Sequence, residues 1–278
     1  MTAPSPFTSG VAVITGAGGG LGAALARQAV SLGMKVALAD IDAGSISALA
    51  AELGPDAIAI PTDVRDAAAV TALAAAVHAR WGGVRLLINN AGIETIGNSW
   101  DISPARWQAT LDINVMGAIH GVHAFLPHML AAGQPAWVAN TASVGAFGQM
   151  PLQTAYIVSK HALQSFTENL ALEIGLTAKP IHVASIIPGA VDTGIFDAAN
   201  HGDAATMRHR AIMQAMLKAS MTPATAAAII FDGLAARQFF ITTHPEDARA
   251  IIDGRIAFLD AMAAPVLPDQ LRALLQGD

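Results

Sequence analysis

Tyr156 and Lys160 stand four residues apart at the head of a predicted helix. Positions i and i+4 share one helical face, so the phenol and the ammonium group are expected one turn apart. A phenol with its ordinary pKa of about 10 is a poor base at neutral pH, and a nearby ammonium lowers that pKa by favouring the phenolate. Tyr156 is also the single tyrosine in 278 residues. The pair therefore predicts general acid–base chemistry, such as removing the proton of an alcohol that is oxidised to a ketone.

Two polar residues before this pair could take part in the same chemistry. Ser143 follows an apolar segment that is predicted to be a strand, and its hydroxyl could hydrogen-bond a substrate oxygen and stabilise the charge that develops there. Asn114 lies inside a predicted helix, where asparagine is unfavourable. Taken singly, such a serine is more often a helix cap, and such a tyrosine more often belongs to the core or its rim. Together, Ser143, Tyr156 and Lys160 predict a catalytic group, and its unfavourable position in a helix marks Asn114 as a further candidate.

A glycine-rich turn lies near the N-terminus, between a predicted strand at Val11–Thr15 and a predicted helix. It reads Gly-Ala-Gly-Gly-Gly-Leu-Gly from Gly16 to Gly22. Glycine is required where the backbone turns with a positive φ or passes close to a phosphate, and the start of the next helix offers N–H groups to a pyrophosphate. The strand before the turn and the helix after it favour a dinucleotide site over a plain turn.

Asp40 lies at the end of the second predicted strand, 18 residues after Gly22. A carboxylate at this place can accept hydrogen bonds from both ribose hydroxyls of the adenosine half of a dinucleotide. It would also repel a 2′-phosphate, and the glycine turn holds no Arg or Lys that would attract one. The sequence therefore predicts NAD rather than NADP as the cofactor. The alternative is that Asp40 or Asp42 only caps the next helix.

The elements that position these residues alternate between short apolar segments and helical patterns. Several apolar segments lack an alternation with polar residues, as is expected for strands buried on both faces. The predicted strands are Val11–Thr15, Lys35–Asp40, Ala57–Pro61, Leu86–Asn89, Ala136–Thr141, His182–Ile187 and Phe239–Thr242. Four residues are expected to cap the helices between and after them, namely Asp42, Asp66, Ser103 and Thr222.

This order of elements predicts an α/β fold: a single-domain, Rossmann-type, doubly wound parallel sheet of about seven strands with helices on both faces. We find no linker and no internal repeat in the sequence. The domain is expected to span residues 1–278, with a substrate lid at about 191–221 and a C-terminal helical extension at about 245–278.

The composition excludes several classes of function. The net charge is −6 without a run of Lys or Arg, so neither a nucleic-acid surface nor a polybasic membrane patch is expected. Cysteine is absent, which rules out disulfides and thiol catalysis and fits a cytoplasmic protein. We expect no signal peptide and no membrane span. No metal site is expected either, because a carboxylate partner at ligand spacing is missing beside the candidate histidines, which are His120, His123, His128, His201 and His209.

Together these residues resemble the short-chain dehydrogenase/reductase family in its common short form. The resemblance runs from Val11 to Thr193, about two thirds of the chain. The motifs that carry it are Thr15-Gly16-x-x-x-Gly20-x-Gly22, Asp63-Val64, Asn89-Asn90-Ala91-Gly92, Asn114, Ser143, Tyr156-x-x-x-Lys160 and Pro188-Gly189-x-Val191-x-Thr193. Each motif is moderately common alone, whereas all of them in this order are very specific.

The resemblance implies a catalytic role for four residues. Tyr156 would be the acid/base, and Ser143 would orient and polarise the carbonyl. Lys160 would hold the nicotinamide ribose and tune Tyr156. Asn114 would anchor a water in a proton relay.

The resemblance also implies a set of cofactor-binding residues. They are Gly16, Gly20, Leu21, Gly22, Asp40, Asp63, Val64, Asn90, Ala91, Gly92, Tyr156, Lys160, Pro188, Gly189, Val191 and Thr193. Asp63 and Val64 would flank the adenine, and Thr193 would contact the carboxamide. The alternative for Asp63 is a cap or turn residue, and the alternative for Thr193 is a helix cap.

The C-terminal part departs from many family members, which end in a strand followed by a Val-Asp-Gly-Gly-like turn that builds a tetramer. Here the last predicted strand leads into His244-Pro245-Glu246 and a helix that reaches about Ala263. We expect a homodimer or a homotetramer, with a dimer formed through the helices that begin near Ser103 and Gln153.

Candidate substrate-binding residues lie near the expected nicotinamide end. They are Glu94, Ser143, Phe147, Met150 and Phe196, with Ile93, Val144, Ile195, Met207, Met213 and Met216 as further wall residues. These side chains predict a hydrophobic secondary alcohol or ketone, which could be bulky or aromatic. No Arg or Lys occurs among them, which argues against a phosphorylated or acyl-carrier substrate. Glu94 is expected either to contact a substrate hydroxyl or to face water.

These observations favour an NAD-dependent secondary-alcohol dehydrogenase or ketone reductase. One alternative is a regulatory protein that kept the dinucleotide site and lost turnover, although such a chain would be expected to lose Tyr156 or Lys160 first. The other is a nucleotide-sugar epimerase or dehydratase. Relatives with that chemistry are usually longer, with a separate substrate domain and a differently spaced glycine turn.

Overall fold

Seven strands form one sheet in the computed structural model, which describes residues 5–197 and 203–276. They are β1 (Val11–Thr15), β2 (Lys35–Asp40), β3 (Ala57–Pro61), β4 (Leu86–Asn89), β5 (Ala136–Thr141), β6 (Ile181–Ile187) and β7 (Phe240–Thr242). The order across the sheet is β3-β2-β1-β4-β5-β6-β7, and all neighbouring strands are parallel. The predicted fold class is confirmed, with β6 beginning one residue earlier and β7 one residue later than predicted.

Helices cover both faces of this sheet. In the described residues they are α1 (Gly20–Ser31), α2 (Ala43–Leu53), α3 (Ala67–Trp81), α4 (Pro104–Leu111), α5 (Gly117–Ala132), α6 (Thr154–Gly175), α7 (Ala204–Lys218), α8 (Pro223–Ala235), α9 (Pro245–Ala261) and α10 (Asp269–Gln276). Short 3₁₀ turns occur at Gly54–Asp56, Val144–Ala146 and Gly194–Phe196, and one π-helical turn at Asp112–Met116 joins α4 to α5.

Four helices begin at the caps that the sequence predicts. The Asp42 side chain accepts hydrogen bonds from two amides in the first turn of α2. Asp66, Ser103 and Thr222 each accept a hydrogen bond from one amide in the first turn of α3, α4 and α8. A cap of this kind contributes about 1 kcal/mol. Since α2 is capped by Asp42, Asp40 is not needed for that purpose.

The sheet carries a hydrophobic core on each face. On one face, Ile14 and Leu38 pack with α1 and α8. On the other face, Val13 and Leu87 pack with α3 and α5. Successive residues of a strand point to opposite faces, so the unbroken apolar sequence of β1 serves both cores.

The continuous helical stretch Pro104–Ala132 is the one described helix that is long and apolar enough to cross a bilayer. Its residues Val122, Phe125 and Met129 are buried in the core of the sheet. This packing accounts for the apolar composition of the stretch.

The carboxyl edge of the sheet is covered by elements that follow β6. The predicted lid segment holds the 3₁₀ turn at Gly194–Phe196 and α7, and its two ends are joined where Val191 pairs with Met221. Leu275 of α10 joins Phe196 and Leu217 in a small apolar cluster. The predicted C-terminal extension therefore consists of α9 and α10, and α10 packs against the lid.

Candidate active site

A cavity of about 1230 Å³ opens at the carboxyl ends of β1, β2, β4, β5 and β6. It brings together most of the residues that the sequence singles out, namely Gly16, Gly20, Leu21, Gly22, Asp40, Asn90, Gly92, Glu94, Ser143, Val144, Phe147, Met150, Tyr156, Lys160, Pro188, Gly189, Val191, Thr193, Ile195, Phe196, Met213 and Met216. The predicted residues outside its wall are Asp63, Val64, Ala91, Ile93, Asn114 and Met207. One continuous cavity therefore joins the predicted cofactor and substrate residues.

The glycine turn holds its backbone where larger residues would not fit. Gly16 and Gly20 have φ of +66° and +50°, and a Cβ on Gly22 would collide with the carbonyl oxygen of Gly16. Helix α1 begins at Gly20 with no side-chain cap and no acidic residue in its first turn. Its N–H groups and the positive end of its dipole are therefore available to an anion in the cavity.

The carboxylate of Asp40 is fixed at the end of β2 by two backbone amides. Its Oδ2 accepts a hydrogen bond from the Gly18 amide at 2.9 Å, and its Oδ1 accepts one from the Asp42 amide at 3.0 Å. A Cβ on Gly18 would lie 3.0 Å from the carboxyl carbon of Asp40, so a larger residue at this position would displace the carboxylate by a few tenths of an ångström. Each carboxylate oxygen can accept more than one hydrogen bond, which leaves Asp40 able to bind ribose hydroxyls.

Asn90 braces the glycine turn from the end of β4. Its backbone amide donates to Thr15 Oγ1 at 2.9 Å, and its side-chain amide donates to the carbonyl oxygens of Thr15 at 3.1 Å and Gly16 at 3.3 Å. The Ala91 amide also donates to Thr15 Oγ1, at 3.1 Å. Ala91 thus acts through its backbone behind the cavity wall.

Asp63 and Val64 are placed differently from the other predicted cofactor residues. Both carboxylate oxygens of Asp63 accept hydrogen bonds from the guanidinium of Arg65, with a shortest distance of 2.6 Å. The hydrogen bonds from Arg65 hold the pKa of Asp63 below its ordinary value. The Val64 carbonyl oxygen lies 2.9 Å from Nδ1 of His120. Neither side chain lies in the cavity wall, and their contact with adenine stays a prediction.

Asn114 is buried in the π-helical turn between α4 and α5. Its Oδ1 accepts from the Ile93 amide at 2.8 Å, and its Nδ2 donates to the Ile93 carbonyl at 3.0 Å and to Ser159 Oγ at 2.9 Å. Single π turns inside helices occur often at functional sites. The side chain of Asn114 ties the segment after β4 to α6, which is a positioning function. The predicted water relay stays a prediction.

Ser143, Tyr156 and Lys160 converge where β5 meets α6. The Lys160 Nζ donates to the Thr141 carbonyl oxygen at 2.7 Å and lies 5.4 Å from the centre of the Tyr156 ring. Ser143 Oγ accepts from the Gly145 amide at 3.1 Å. A Cβ on Gly145 would lie 3.4 Å from Ser143 Oγ and 3.7 Å from Cε1 of Tyr156. Gly145 therefore lies against both side chains, at ordinary van der Waals distance.

Burial dominates the electrostatics of this group. It raises the pKa of Tyr156 well above the ordinary value, Glu94 raises that pKa further, and a hydrogen bond from Ser143 opposes the rise. Burial also lowers the pKa of Lys160 to about 8, which the nearby Glu94 partly offsets. The sequence predicts that Lys160 lowers the Tyr156 pKa, but the structure shows a net rise. The reason is that the enclosed phenol loses its hydration, and the ammonium is directed at Thr141.

Glu94 lies in the cavity wall with only 3% of its surface exposed. This burial excludes the alternative that it faces bulk water. Its Oε1 accepts a hydrogen bond from the Thr95 amide at 3.0 Å, and Arg106 donates to its backbone carbonyl oxygen at 2.6 Å. Burial raises the pKa of the Glu94 carboxyl to about 8, against smaller opposing effects of the Thr95 amide, Lys160 and Arg106. At neutral pH the group is therefore largely a neutral hydrogen-bond donor.

The C-terminal extension forms part of the cavity wall, a position that the sequence did not predict. The residues concerned are Ala250, Ile251, Gly254, Arg255, Phe258, Leu271 and the four residues 265–268. The signal in the sequence is the apolar pair Ile251 and Phe258, which share one face of α9. The expectation that no Arg or Lys joins the predicted substrate residues is wrong, because α9 brings Arg255 into the wall.

Metal-ligating residues do not cluster in the described part of the chain, where no group of three His, Cys, Asp or Glu could hold an ion. His201, one of the histidines considered in the sequence, lies outside the described residues. His209 is buried, and both of its ring nitrogens lack a hydrogen-bond partner. Burial lowers its pKa, so it is a neutral side chain at neutral pH.

Comparisons with known proteins agree with this geometry. The chain is 34% identical to a putative oxidoreductase, SadH, of Mycobacterium tuberculosis over 237 residues, 84% of this chain and 86% of the relative. It superposes with a TM-score of 0.90 on a short-chain dehydrogenase/reductase from Burkholderia phymatum in complex with NAD, at 34% identity over 94% of this chain and 98% of the other. A 3-ketoacyl-(acyl-carrier-protein) reductase from Brucella melitensis complexed with NADH gives a TM-score of 0.72 at 28% identity, over 84% and 94% of the two chains.

The family model of the short chain dehydrogenases matches residues 10–204. This range contains the glycine turn, Asp40, Asn114 and the group of Ser143, Tyr156 and Lys160. The chain is therefore an oxidoreductase and belongs to the short-chain dehydrogenase/reductase family.

Proposed function

We propose that this protein is an NAD-dependent dehydrogenase/reductase that interconverts a hydrophobic secondary alcohol and its ketone. The observation that carries the proposal is that Ser143, Tyr156 and Lys160 lie in the wall of the same cavity as the glycine turn and Asp40. A cofactor bound along that turn and a substrate held by Ser143 would share one enclosed space.

The residues at the glycine turn fit a nicotinamide dinucleotide. The N-terminus of α1 and the space kept by the glycines suit a pyrophosphate, and the fixed carboxylate of Asp40 suits a ribose diol. When bound, NAD would accept a hydride at its positively charged nicotinamide ring during oxidation, and NADH would supply the hydride during reduction. Similar solved structures from Burkholderia phymatum and Brucella melitensis hold NAD and NADH.

The charges near Asp40 support NAD over NADP. The Asp40 carboxylate would repel a 2′-phosphate at the adenosine ribose. The nearby Arg27, which lines a neighbouring pocket beside the glycine turn, is paired with Glu52 at 2.6 Å. A 2′-phosphate would therefore meet a negative charge and a guanidinium that is already engaged.

Tyr156 is proposed to carry the transferred proton. Its raised pKa keeps the phenol protonated at neutral pH, which suits donation to a ketone oxygen during reduction. In oxidation the phenol must first lose its proton, and a positive charge near its ring favours that loss. The Lys160 ammonium, 5.4 Å from the ring centre, supplies part of that charge.

Ser143 and Glu94 are proposed to hold the substrate at the reacting carbon. Ser143 Oγ is fixed by the Gly145 amide, and its hydroxyl proton can turn from Tyr156 to the substrate oxygen. Protonated Glu94 offers a second donor in the same wall. Phe147 and Met150 make the surrounding wall apolar, which favours a bulky or aromatic substrate body.

The test is cofactor absorbance during turnover, with NAD(H) and NADP(H) in parallel, on a panel of aliphatic, aryl and polycyclic secondary alcohols and ketones. We expect turnover with NAD(H) that Tyr156→Phe lowers by about 10²–10⁴-fold, with the affinity for NADH unchanged. Phe239→Leu, which packs against one hydrophobic core of the sheet and does not line the cavity, is the control for general loss of stability. Binding of NADH without turnover on any compound would favour the regulatory alternative over the proposed enzyme.

A further inference from the structure

Arg255 is a basic residue of the cavity wall that the proposed chemistry does not use. It lies on α9, one turn after Ile251. A Cβ on Gly148 would lie 3.2 Å from Cγ2 of Ile251, so α9 packs on the segment that follows Ser143. Arg255 itself is half-buried and lines the cavity. The side chain is therefore neither shielded from the cavity nor fully exposed.

Arg255 has no carboxylate partner among the residues that the structure describes. Its neighbours one turn away on α9 are Ile251 and Leu259, which are apolar. By contrast, Arg249 on the same helix pairs with Asp253 at 2.9 Å. The α9 helix therefore supplies an ion-pair partner for one of these arginines and not for the other.

The contact that the structure gives Arg255 is with an aromatic ring. Its guanidinium carbon lies 5.2 Å from the centre of the Phe258 ring. A contact of this kind orients the guanidinium through the face of the ring and does not use its N–H donors. Arginine has five such donors in a fixed planar arrangement, so the hydrogen-bonding capacity of Arg255 is left for a ligand.

The other titratable groups with a carboxyl or amino group in the described wall are engaged. Lys160 donates to the Thr141 carbonyl oxygen, and Asp40 accepts from two backbone amides. Glu94 accepts from one backbone amide and lies beside Tyr156 and Lys160. Arg255 is thus the charged group of this wall that lacks a polar partner, and the wall around it is apolar.

We infer that Arg255 forms an anion subsite that binds a carboxylate on the part of the substrate remote from the reacting carbon. This inference rests on the proposed function and narrows its substrate class to oxo- or hydroxy-carboxylic acids with an apolar body. The planar guanidinium matches a carboxylate with two parallel hydrogen bonds. One guanidinium balances the single charge of a carboxylate, whereas a phosphate monoester carries about −1.5 to −2. The charge of the subsite therefore favours a carboxylate over a phosphate.

The kinetic test uses pairs of straight-chain methyl ketones of increasing length, each with a terminal carboxylate or its methyl ester. For the length that spans the cavity, we expect the carboxylate to have a KM about tenfold or more below that of its ester, since a hydrogen bond to a charged group is worth at least that factor. Arg255→Gln should abolish this difference by raising the KM of the carboxylate. Arg249→Gln, whose side chain pairs with Asp253 outside the cavity, should keep the difference. Equal KM values for acid and ester at every length in the parent would overturn the subsite.

A binding measurement separates this inference from the proposed function. Calorimetric titration of the NADH-loaded protein with decanoate needs no turnover, and we expect affinity about tenfold or more higher for the parent and Arg249→Gln than for Arg255→Gln. If the esters are not reduced but decanoate binding depends on Arg255, the proposed reaction fails and the anion subsite stands. If the esters are reduced but decanoate binds the parent and Arg255→Gln equally, the reaction stands and the subsite is refuted.

Discussion

The Gly18 amide donates a hydrogen bond to the Asp40 carboxylate at 2.9 Å, and this bond ties the glycine turn to the end of β2. The same carboxylate also accepts from the Asp42 amide at 3.0 Å. Asp40 is therefore held in the cavity wall before any ligand binds. A carboxylate that needs no rearrangement can select a cofactor by its charge at little entropic cost.

Replacing Asp40 should weaken the preference for NADH over NADPH. In Asp40→Ala, the loss of the hydrogen bonds to the ribose hydroxyls and of the repulsion of a 2′-phosphate should shift the ratio of the two dissociation constants by about tenfold or more. Fluorescence titration with each reduced cofactor measures that ratio. Asp42→Ala is the matched control two residues away, because it removes the cap of α2, costs about 1 kcal/mol of stability and should leave the ratio unchanged. A ratio that stays the same in Asp40→Ala would exclude this carboxylate as the selecting group.

Gly22 and Gly19 should respond differently to the same substitution. In Gly22→Ala the new methyl group would meet the carbonyl oxygen of Gly16, so the turn must distort. We expect a loss of roughly 1–3 kcal/mol in the free energy of unfolding and a loss of NADH binding. Gly19 has extended backbone with φ of −168°, and a Cβ there would meet no atom within 4 Å. Gly19→Ala should therefore change stability by less than about 0.5 kcal/mol in urea unfolding, and equal losses in both variants would contradict the proposed collision.

The strands and caps could be predicted because their signals are local. The apolar sequence of β1 indicates a strand buried on both faces, and Asp42 and Ser103 stand where a cap is needed. The residues of the cofactor site could also be predicted, because their motifs, from the glycine turn to Thr193, follow one another in the order that is usual in the family.

The part of the cavity wall that the C-terminal extension forms could not be predicted in the same way. The packing of α9 depends on the approach of Ile251 to Gly148, which are far apart in the chain. The apolar face of α9 shows that the helix packs somewhere, but it does not show against which surface. The position of Arg255 and the partial burial of Tyr156 follow from such long-range packing, and so does the direction of the Tyr156 pKa shift.

Glu94 should make the stability of the protein depend on pH. Burial raises its pKa from the ordinary 4.5 to about 8, so its contribution is fully present below about pH 4.5 and is lost as the pH rises to about 8. The uncharged Glu94→Gln keeps the size of the side chain and cannot ionise. We therefore expect the free energy of unfolding of the parent to fall relative to Glu94→Gln across this range, by on the order of a few kcal/mol.

Urea unfolding at several pH values, with the parent and Glu94→Gln side by side, measures this difference. Glu173→Gln, on the exposed side of α6, removes a surface charge and should change stability by less than about 0.5 kcal/mol. A difference between the parent and Glu94→Gln that does not vary between about pH 4.5 and 8 would show that the Glu94 carboxyl is not held in its neutral form.

Tyr156 can be titrated directly, because it is the single tyrosine of the chain. Burial and Glu94 raise its pKa above the ordinary value of about 10. The near-ultraviolet tyrosinate absorbance of the folded protein should therefore rise at a higher pH than that of the protein unfolded in urea. Tyr156→Phe contains no tyrosine and provides the blank for the tryptophans. In Glu94→Gln the negative charge that opposes the phenolate is gone, so the midpoint should move to lower pH and the acid limb of the rate of alcohol oxidation should move with it. A folded-state midpoint at or below that of the unfolded chain would show that charge, and not burial, controls this phenol.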